Sequence, residues 1–286
     1  NTQTVKIYDP KSGKLVNTMD IQKMNKKYEI KNKLKENIIE LGKKFTILYF
    51  MSYGSIIAVL FSNKIIQFFN LINHNEGELI FSIKAKSLQK RIWFLEKHNI
   101  WFSSGDKEND ENCYYINELD INFKMKEGIP IPITENLLYR KRYCKICEHK
   151  KEIYDVIETK KPFLILTACL DGLIRLINTK DDEFHKVWKY HNTGVKHLVY
   201  NPNLESNGYI LSTGFEYYIN IFCTDLSLED AYKGKLEGHF VPVIDCKFIC
   251  NSPICVSVDE EGNIRIWDSI NKLCLQSITN FKKNIS

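Results

Sequence analysis

Apolar residues in this chain come in short, strand-sized runs rather than at helical spacing. From Phe45 onward the runs FTILYFM, SIIAVLFSN, KIIQFFN and GELIFSI follow one another, split by Gly, Asn, Asp or Pro. β-Branched and aromatic side chains dominate them, as a pleated, half-buried surface requires. The pattern predicts an all-β chain. Groups of four runs recur at 145–190, 191–236 and 239–279, and two weaker groups precede them at 45–83 and 91–123. Residues 1–18 match only the last two runs of a group, VKIYD aligning with IRIWD and SGK forming the turn.

The second half adds a fixed period. Thr167, Ser212 and Ser257 lie 45 positions apart, as do the acids Asp171, Glu216 and Glu261 and the large apolar residues Ile177, Phe222 and Trp267. A period in the 40s that ends each time in a short apolar strand marks four-stranded sheets repeated about an axis. The expected fold is therefore a β-propeller of about five complete four-stranded blades plus half of another. All of 1–286 is read as one propeller, with 1–18 as the half blade and the groups above as blades. Open edges invite pairing, so such a ring normally joins its ends. A chain that starts mid-blade and finishes after a whole one is expected to have more protein on one or both sides, in a seven-bladed or tandem propeller. Two insertions break the period. Residues 20–44 are lysine-rich and read as a solvated linker, with a short amphipathic helix as the alternative. Residues 124–143 contain IPIPI and then LLYRKRY, which predicts an extended segment leaving the sheet edge, its basic tail open to a partner.

These residues resemble the WD-repeat (WD40) family. In that family a His near the start of a blade, a hydroxyl in the second strand, an acid in the following turn and a Trp in the third strand form a hydrogen-bonded set. One blade here has His149, Thr167 and Asp171, with Ile177 in place of Trp and Asn178 in place of the closing Asp. The next has His191 and Ser212, with Glu216 for the acid and Phe222 for Trp. The last has His239, Ser257, Glu261, Trp267 and Asp268, and its LEGHF followed by NIRIWD is the most diagnostic combination. From about residue 145 the resemblance is specific; before that only the pattern is kept. It implies a non-enzymatic scaffold that holds other proteins in a large assembly. Across the last three groups the phrasing is similar to WD-repeat proteins of cilia and flagella. That implies a cytoplasmic or cytoskeletal location in the cilium axoneme, with tubulin or axonemal complexes as partners. A peptide-recognition module, such as a ubiquitin-ligase substrate receptor, and an RNA-processing scaffold are the competing readings. Rim loops beside the His-bearing turn make Lys150, Lys151, Thr193, Phe215, Tyr217, Phe240 and Glu260 the candidates for partner binding.

Composition narrows the function classes. The net charge of +5 comes almost wholly from lysine; Arg91, Arg140, Arg142, Arg175 and Arg265 are the arginines. Duplex recognition relies on arginine forks, so nucleic acid is disfavoured. No run approaches the ~18 apolar residues of a membrane span, and NTQTVKIYDP lacks a signal core. Of the nine cysteines, Cys169, Cys223, Cys246, Cys255 and Cys274 sit in apolar runs, as buried thiols in a reducing compartment would. Cys246, Cys250 and Cys255 together read as core. Cys144, Cys147 and His149 have zinc-like spacing but no second pair, so structural thiols are the better reading. The stretch 106–112 has calcium-loop oxygens, but Glu111 stands at the required glycine and Asn117 at the required Glu. It reads as an acidic hairpin loop, and the turn 259–262 fails the same test. The Ser/His/acid set recurs at the blade period, which marks a structural device rather than a hydrolase. No metal, cofactor or small-molecule substrate is expected.

Overall fold

The computed structural model describes residues 4–9, 11–21, 46–73, 76–85, 87–97, 100–107, 110–119, 123–126, 129–132, 149–161, 163–180, 183–204, 208–224, 231–250 and 252–279. Every regular element among them is a β-strand. Strands β1 (Thr4–Tyr8) and β2 (Leu15–Asp20) form a hairpin; β3 (Ile47–Tyr53), β4 (Ile56–Phe61), β5 (Ile65–Asn73) and β6 (Glu76–Lys84) form a four-stranded sheet. A three-stranded sheet follows, β7 (Gln89–Leu95), β8 (Ile100–Lys107) and β9 (Asp110–Leu119), then the hairpin β10 (Phe123–Lys126) and β11 (Ile129–Pro132). Three more four-stranded sheets complete the chain. They are β12 (Ile153–Glu158), β13 (Leu164–Cys169), β14 (Ile174–Asn178) and β15 (Glu183–Trp188); β16 (Val195–Asn201), β17 (Tyr209–Gly214), β18 (Tyr218–Cys223) and β19 (Tyr232–Glu237); and β20 (Val243–Phe248), β21 (Ile254–Asp259), β22 (Ile264–Asp268) and β23 (Leu273–Ile278). Strands are ordered as in the sequence, and the four-stranded sheets are antiparallel meanders consistent with WD blades. The chain divides into two compact units, 1–110 with 116–142, and 111–115 with 143–286.

Inside each unit one packing scheme repeats. Leu164, Leu166 and Ala168 of β13 and Ile174 and Leu176 of β14 bury against Val195 and Leu198 of β16, Ile210 and Phe222. Shifted by 45 residues, Tyr209, Leu211, Ile219 and Ile221 bury against Val243, Cys246, Cys255 and Trp267. In the first unit Ala58, Leu60, Ile66 and Phe68 meet Ile92 and Trp101, whose rings lie edge-on to Phe68 at 5.2 Å. Because successive strand residues face opposite ways, a strand sandwiched between two sheets is covered on both faces, and any polar side chain in it must find a partner. β13 and β17 are accordingly buried along their whole length.

Each first strand is bulged near its start: the register slips at Ile47/Tyr49, Gln89/Arg91, Ile153/Asp155, Val195/His197 and Val243/Asp245. A bulge sharpens local twist and re-aims one side chain. Five first strands thus turn the residue two places after their opening residue toward a neighbouring first strand. In the first unit this sets Arg91 over the Tyr49 ring at 5.1 Å.

Several expectations change. The group 91–123 makes three strands in its sheet rather than four. Its last segment, Phe123–Lys126, pairs instead with Ile129–Pro132 from the 124–143 insertion. The polar DKENDEN stretch gives neighbouring strands neither apolar face nor turn glycine, and residues 108–109 within it lie outside the described residues; Asp106 pairs with Lys90 at 3.1 Å. Residues 22–45 and 133–148, with Cys144 and Cys147, also lie outside them. Cys274 and Cys250 are exposed, not core. Cys274 belongs to the outermost strand β23, and Cys250 sits in a turn at φ 51°.

Candidate functional site

The buried histidines begin each sheet of the second unit. His239 is 5% exposed and links the loop before β20 to the turn after β21. With its proton on Nδ1 it donates to Asp259 Oδ2 at 2.8 Å, while Ser257 Oγ donates to Nε2 at 2.7 Å. Trp267 Nε1 donates to the same hydroxyl at 2.8 Å, closing a chain of four side chains. Burial pushes the His239 pKa below its ordinary value despite Asp259, so the ring is neutral near pH 7. The acid is Asp259, not Glu261. Ser257 and Asp259 are two apart on β21 and both buried, so they share the face that meets His239. Glu261 has left the strand, is exposed, and gives only its backbone N–H to Asp259 Oδ1, at 3.1 Å. Asp268 is also outside the network: it caps the next turn, accepting from the backbone N–H of Ile270 and Asn271 at 2.9 and 3.1 Å.

In the preceding sheet His191 donates from Nδ1 to Glu216 Oε2 at 2.9 Å and accepts from Ser212 at 2.8 Å. The second Glu216 oxygen takes the N–H groups of Asn192 and Thr193, both at 3.0 Å. Burial raises the Glu216 pKa, but the bonds from His191 and Thr193 prevail and hold it at about 2. The longer acid fits because the backbone comes close here: a Cβ on Gly214 would strike the Gly194 carbonyl and lie 2.7 Å from Glu216 Oε2. Phe222 supplies no polar contact and packs instead on Trp188 and Tyr190, centroids 5.6 and 5.4 Å away. Asn220 brings a polar side chain to the same network. It donates to the Tyr190 carbonyl at 3.0 Å and lies 3.2 Å from His191 Nε2, whose lone pair Ser212 already occupies. It stands 45 residues from both Arg175 and Arg265, a spacing that makes it findable in the sequence.

In the first sheet of the unit His149 meets Thr167 Oγ1 at 2.9 Å. Asp171 is taken by Arg175 instead, in a two-pronged bond at 3.2 and 2.6 Å. Burial raises the Asp171 pKa, yet Arg175 keeps it below its ordinary value. Ile177, 4% exposed, is core.

A fourth histidine carries no repeat motif. His197, at the β16 bulge, makes ion pairs to Asp155 of β12 at 2.7 Å and to Asp245 of β20 at 2.8 Å. Asp155 Oδ2 also accepts the Leu198 N–H at 2.9 Å. Burial works against charge on His197, but the two carboxylates outweigh it and lift its pKa to about 9. Three first strands are thereby joined by one imidazolium.

Around these networks the rim is uneven. Phe240 is 87% exposed, Tyr217 57% and Phe215 44%, with Lys196 Nζ 3.8 Å from the Phe215 centroid. Lys150, Lys151, Thr193 and Glu260 are exposed too. Chemically, the serine and histidine of each set have the polarity of a hydrolase dyad. Ser212 and Ser257 are 0% and 1% exposed, however, and both hydroxyls are already engaged, so no external carbonyl reaches them. Among the described residues no group of His, Cys, Asp and Glu is arranged to hold a metal, and no helix is long and apolar enough to cross a membrane.

Comparison with known proteins agrees with the sheets. The model of the WD domain, G-beta repeat, matches residues 231–268, so a WD40 repeat is present there. Over 120 residues, 42% of this chain, the sequence is 28% identical to Cilia- and flagella-associated protein 337 B of Tetrahymena thermophila. The matched part spans 9% of that protein's length. WD40 repeats of this kind mediate binding to other proteins.

Proposed function

We propose that this chain is a non-enzymatic scaffold of the cilium axoneme, holding structural proteins of that assembly through the rim of its second unit. The observation that carries the reading is the combination of closed, buried histidine networks with aromatic side chains left in water just beyond them. Hydroxyl, imidazole and carboxylate are spent on tying loops down, each bond contributing about 1 kcal/mol. What they hold rigid is a surface with Phe240, Tyr217 and Phe215 outermost. Aromatic side chains bury much area at small entropic cost and dominate protein interfaces. Similarity to a cilia- and flagella-associated protein supports the proposed compartment. Tubulin lattices and axonemal complexes are the partners proposed, and Lys150 and Lys151 suit their acidic surfaces.

Two experiments test this. Cross-linking mass spectrometry on detergent-washed axonemes is expected to join the second unit to tubulin or axonemal proteins; recovery only from cytosol, linked to ligase or RNA-processing subunits, would sink the ciliary reading. Phe240→Ala with Tyr217→Ala is expected to abolish most of those cross-links. Because both side chains are exposed, the melting midpoint should move little, as surface changes stay within about 0.5 kcal/mol. Unchanged cross-links in the double variant would remove these residues from the interface.

A further inference from the structure

One aromatic residue of the second unit is held in a backbone conformation that suits glycine. Phe163 has φ 64° and is 48% exposed. It stands third in the turn that joins β12 to β13, where the Leu164 N–H donates to the Lys161 carbonyl at 3.4 Å. A left-handed third residue in such a turn is ordinarily Gly or Asn, because other side chains crowd the backbone. The next sheet keeps that rule: 45 residues on, Gly208 has φ 73°. A Cβ there would lie 2.6 Å from Tyr200 Cε2 and 2.7 Å from the Asn201 carbonyl oxygen. Among the described residues, Lys64, Cys250 and Lys272 are the other non-glycine positions with positive φ, and none is aromatic. Thr179, at the end of β14, fixes the strained residue in place. Its N–H and its hydroxyl both donate to the Phe163 carbonyl, at 2.7 and 3.1 Å. Strain and an aromatic ring half in water are both unfavourable in the free chain.

The strained turn is at the opposite end of the sheets from the histidines. In an antiparallel meander the β12–β13 and β14–β15 turns fall at one end, and the histidine loop and the β13–β14 turn at the other. Phe215, Tyr217 and Phe240 belong to the histidine end, so Phe163 is no part of that surface. Lys160 and Lys161 precede Phe163, Lys180 follows Thr179, and all three lysines are exposed. Glu158 is half-buried in β12, while Asp181 and Asp182 lie outside the described residues. The Lys160 N–H donates to the Tyr200 hydroxyl at 3.2 Å, which ties this turn to the next sheet as well. We infer that Phe163 is the anchor of a second protein-docking point, for a partner surface with an apolar socket edged by carboxylates. A ring on a turn already tied down loses little entropy when a partner covers it. The flanking lysines set charge complementarity and register. With a docking point at each end, the unit joins two partners rather than holding one.

Phe163→Gly separates the ring's strain from its contact. Its melting midpoint is expected to equal or exceed that of wild type, because the left-handed backbone is natural to glycine. Contact is read with carbodiimide, which couples a lysine amine directly to a touching carboxylate. It is applied to the natural protein in axonemal and soluble fractions, and the products are mapped by mass spectrometry. Links from Lys160, Lys161 or Lys180 to acidic residues of another protein are expected. Phe163→Gly should cut their yield about tenfold, as loss of an aromatic anchor does, and spare links from Lys150 and Lys151. A clear fall in the midpoint would overturn the proposal, since the ring is then packing of the chain's own fold. Links of unchanged yield would overturn it too. So would Phe163-dependent binding of phosphatidylserine vesicles or of poly(U), because the occupant is then not a protein. The axonemal fraction is chosen on the function proposed above; Phe163-dependent links to a soluble protein would uphold this docking point and remove the ciliary reading.

Discussion

Replacing His197 by asparagine is expected to lower stability by about 3 kcal/mol at pH 6, read as a fall in the urea midpoint with unchanged slope. The imidazolium lies between Asp155 and Asp245, 2.7 and 2.8 Å away. Without it, two carboxylates remain at the first strands, one of them on a side chain only 12% exposed. Removing one partner of a buried ion set is costly because a charge is left uncompensated. Lys247 Nζ, 3.4 Å from His197 Nε2, opposes the cation and trims the effect. Asp245→Asn in the same background should recover part of the loss. The pH profile separates this from mere loss of packing. The folded pKa of His197, about 9, is above the ordinary ~6.5. Its contribution is thus complete below about pH 6.5 and fades as pH rises through 9. For Glu216 the sign is reversed: held at about 2, it contributes above its ordinary carboxylate range and is lost on acidification. Wild type should accordingly be most stable near pH 5–6 and weaken toward pH 9.5. The asparagine variant should keep the acid limb and lose most of the alkaline one; an alkaline limb of unchanged depth would rule the clasp out.

The strands were legible because alternation and turn residues act locally. FTILYFM, SIIAVLFSN, KIIQFFN and GELIFSI coincide closely with β3 to β6. The buried hydroxyls Thr167, Ser212 and Ser257 were legible too, since they keep the 45-residue period. The histidines were legible from their place before each first strand in the family resemblance. What escaped were contacts made between first strands. IYD, VKH and VID, which open β12, β16 and β20, place Asp155, His197 and Asp245 at one offset. No hydrophobic pattern marks that offset, because only the bulge turns the side chain toward its neighbour. Asp171 shows the converse. It holds the expected place in the turn, but Arg175, two strand positions from Ile177, offers it a fixed charge at 2.6 Å, and a two-pronged guanidinium bond is stronger than a single imidazole N–H bond to the same carboxylate.

A fixed 45-residue period pointed to Glu261 as the acid of the last blade, and a paired substitution separates the two candidates. Asp259→Ala is expected to cost about 3 kcal/mol, and Glu261→Ala to stay within about 0.5 kcal/mol. Asp259 gathers four bonds: from His239 Nδ1 at 2.8 Å, Asn263 Nδ2 at 3.1 Å, and the backbone N–H of Glu261 and Asn263 at 3.1 and 2.9 Å. Its pKa is raised by burial but lowered more by His239 and Asn263, and so lies below the ordinary value. Alanine would leave a buried imidazole N–H without its acceptor and untie the turn that precedes β22. The loss should spread to Ser257 and Trp267, whose hydroxyl and indole orient on that ring. Trp267 fluorescence is a direct readout: a red shift in Asp259→Ala, none in Glu261→Ala. Asp259→Asn keeps one carbonyl acceptor and should lie between. The opposite order, with Glu261→Ala the damaging change, would mean that the acid is chosen by its place in the turn. Strand geometry argues otherwise, since the side chain two residues past the serine on β21 already faces the histidine.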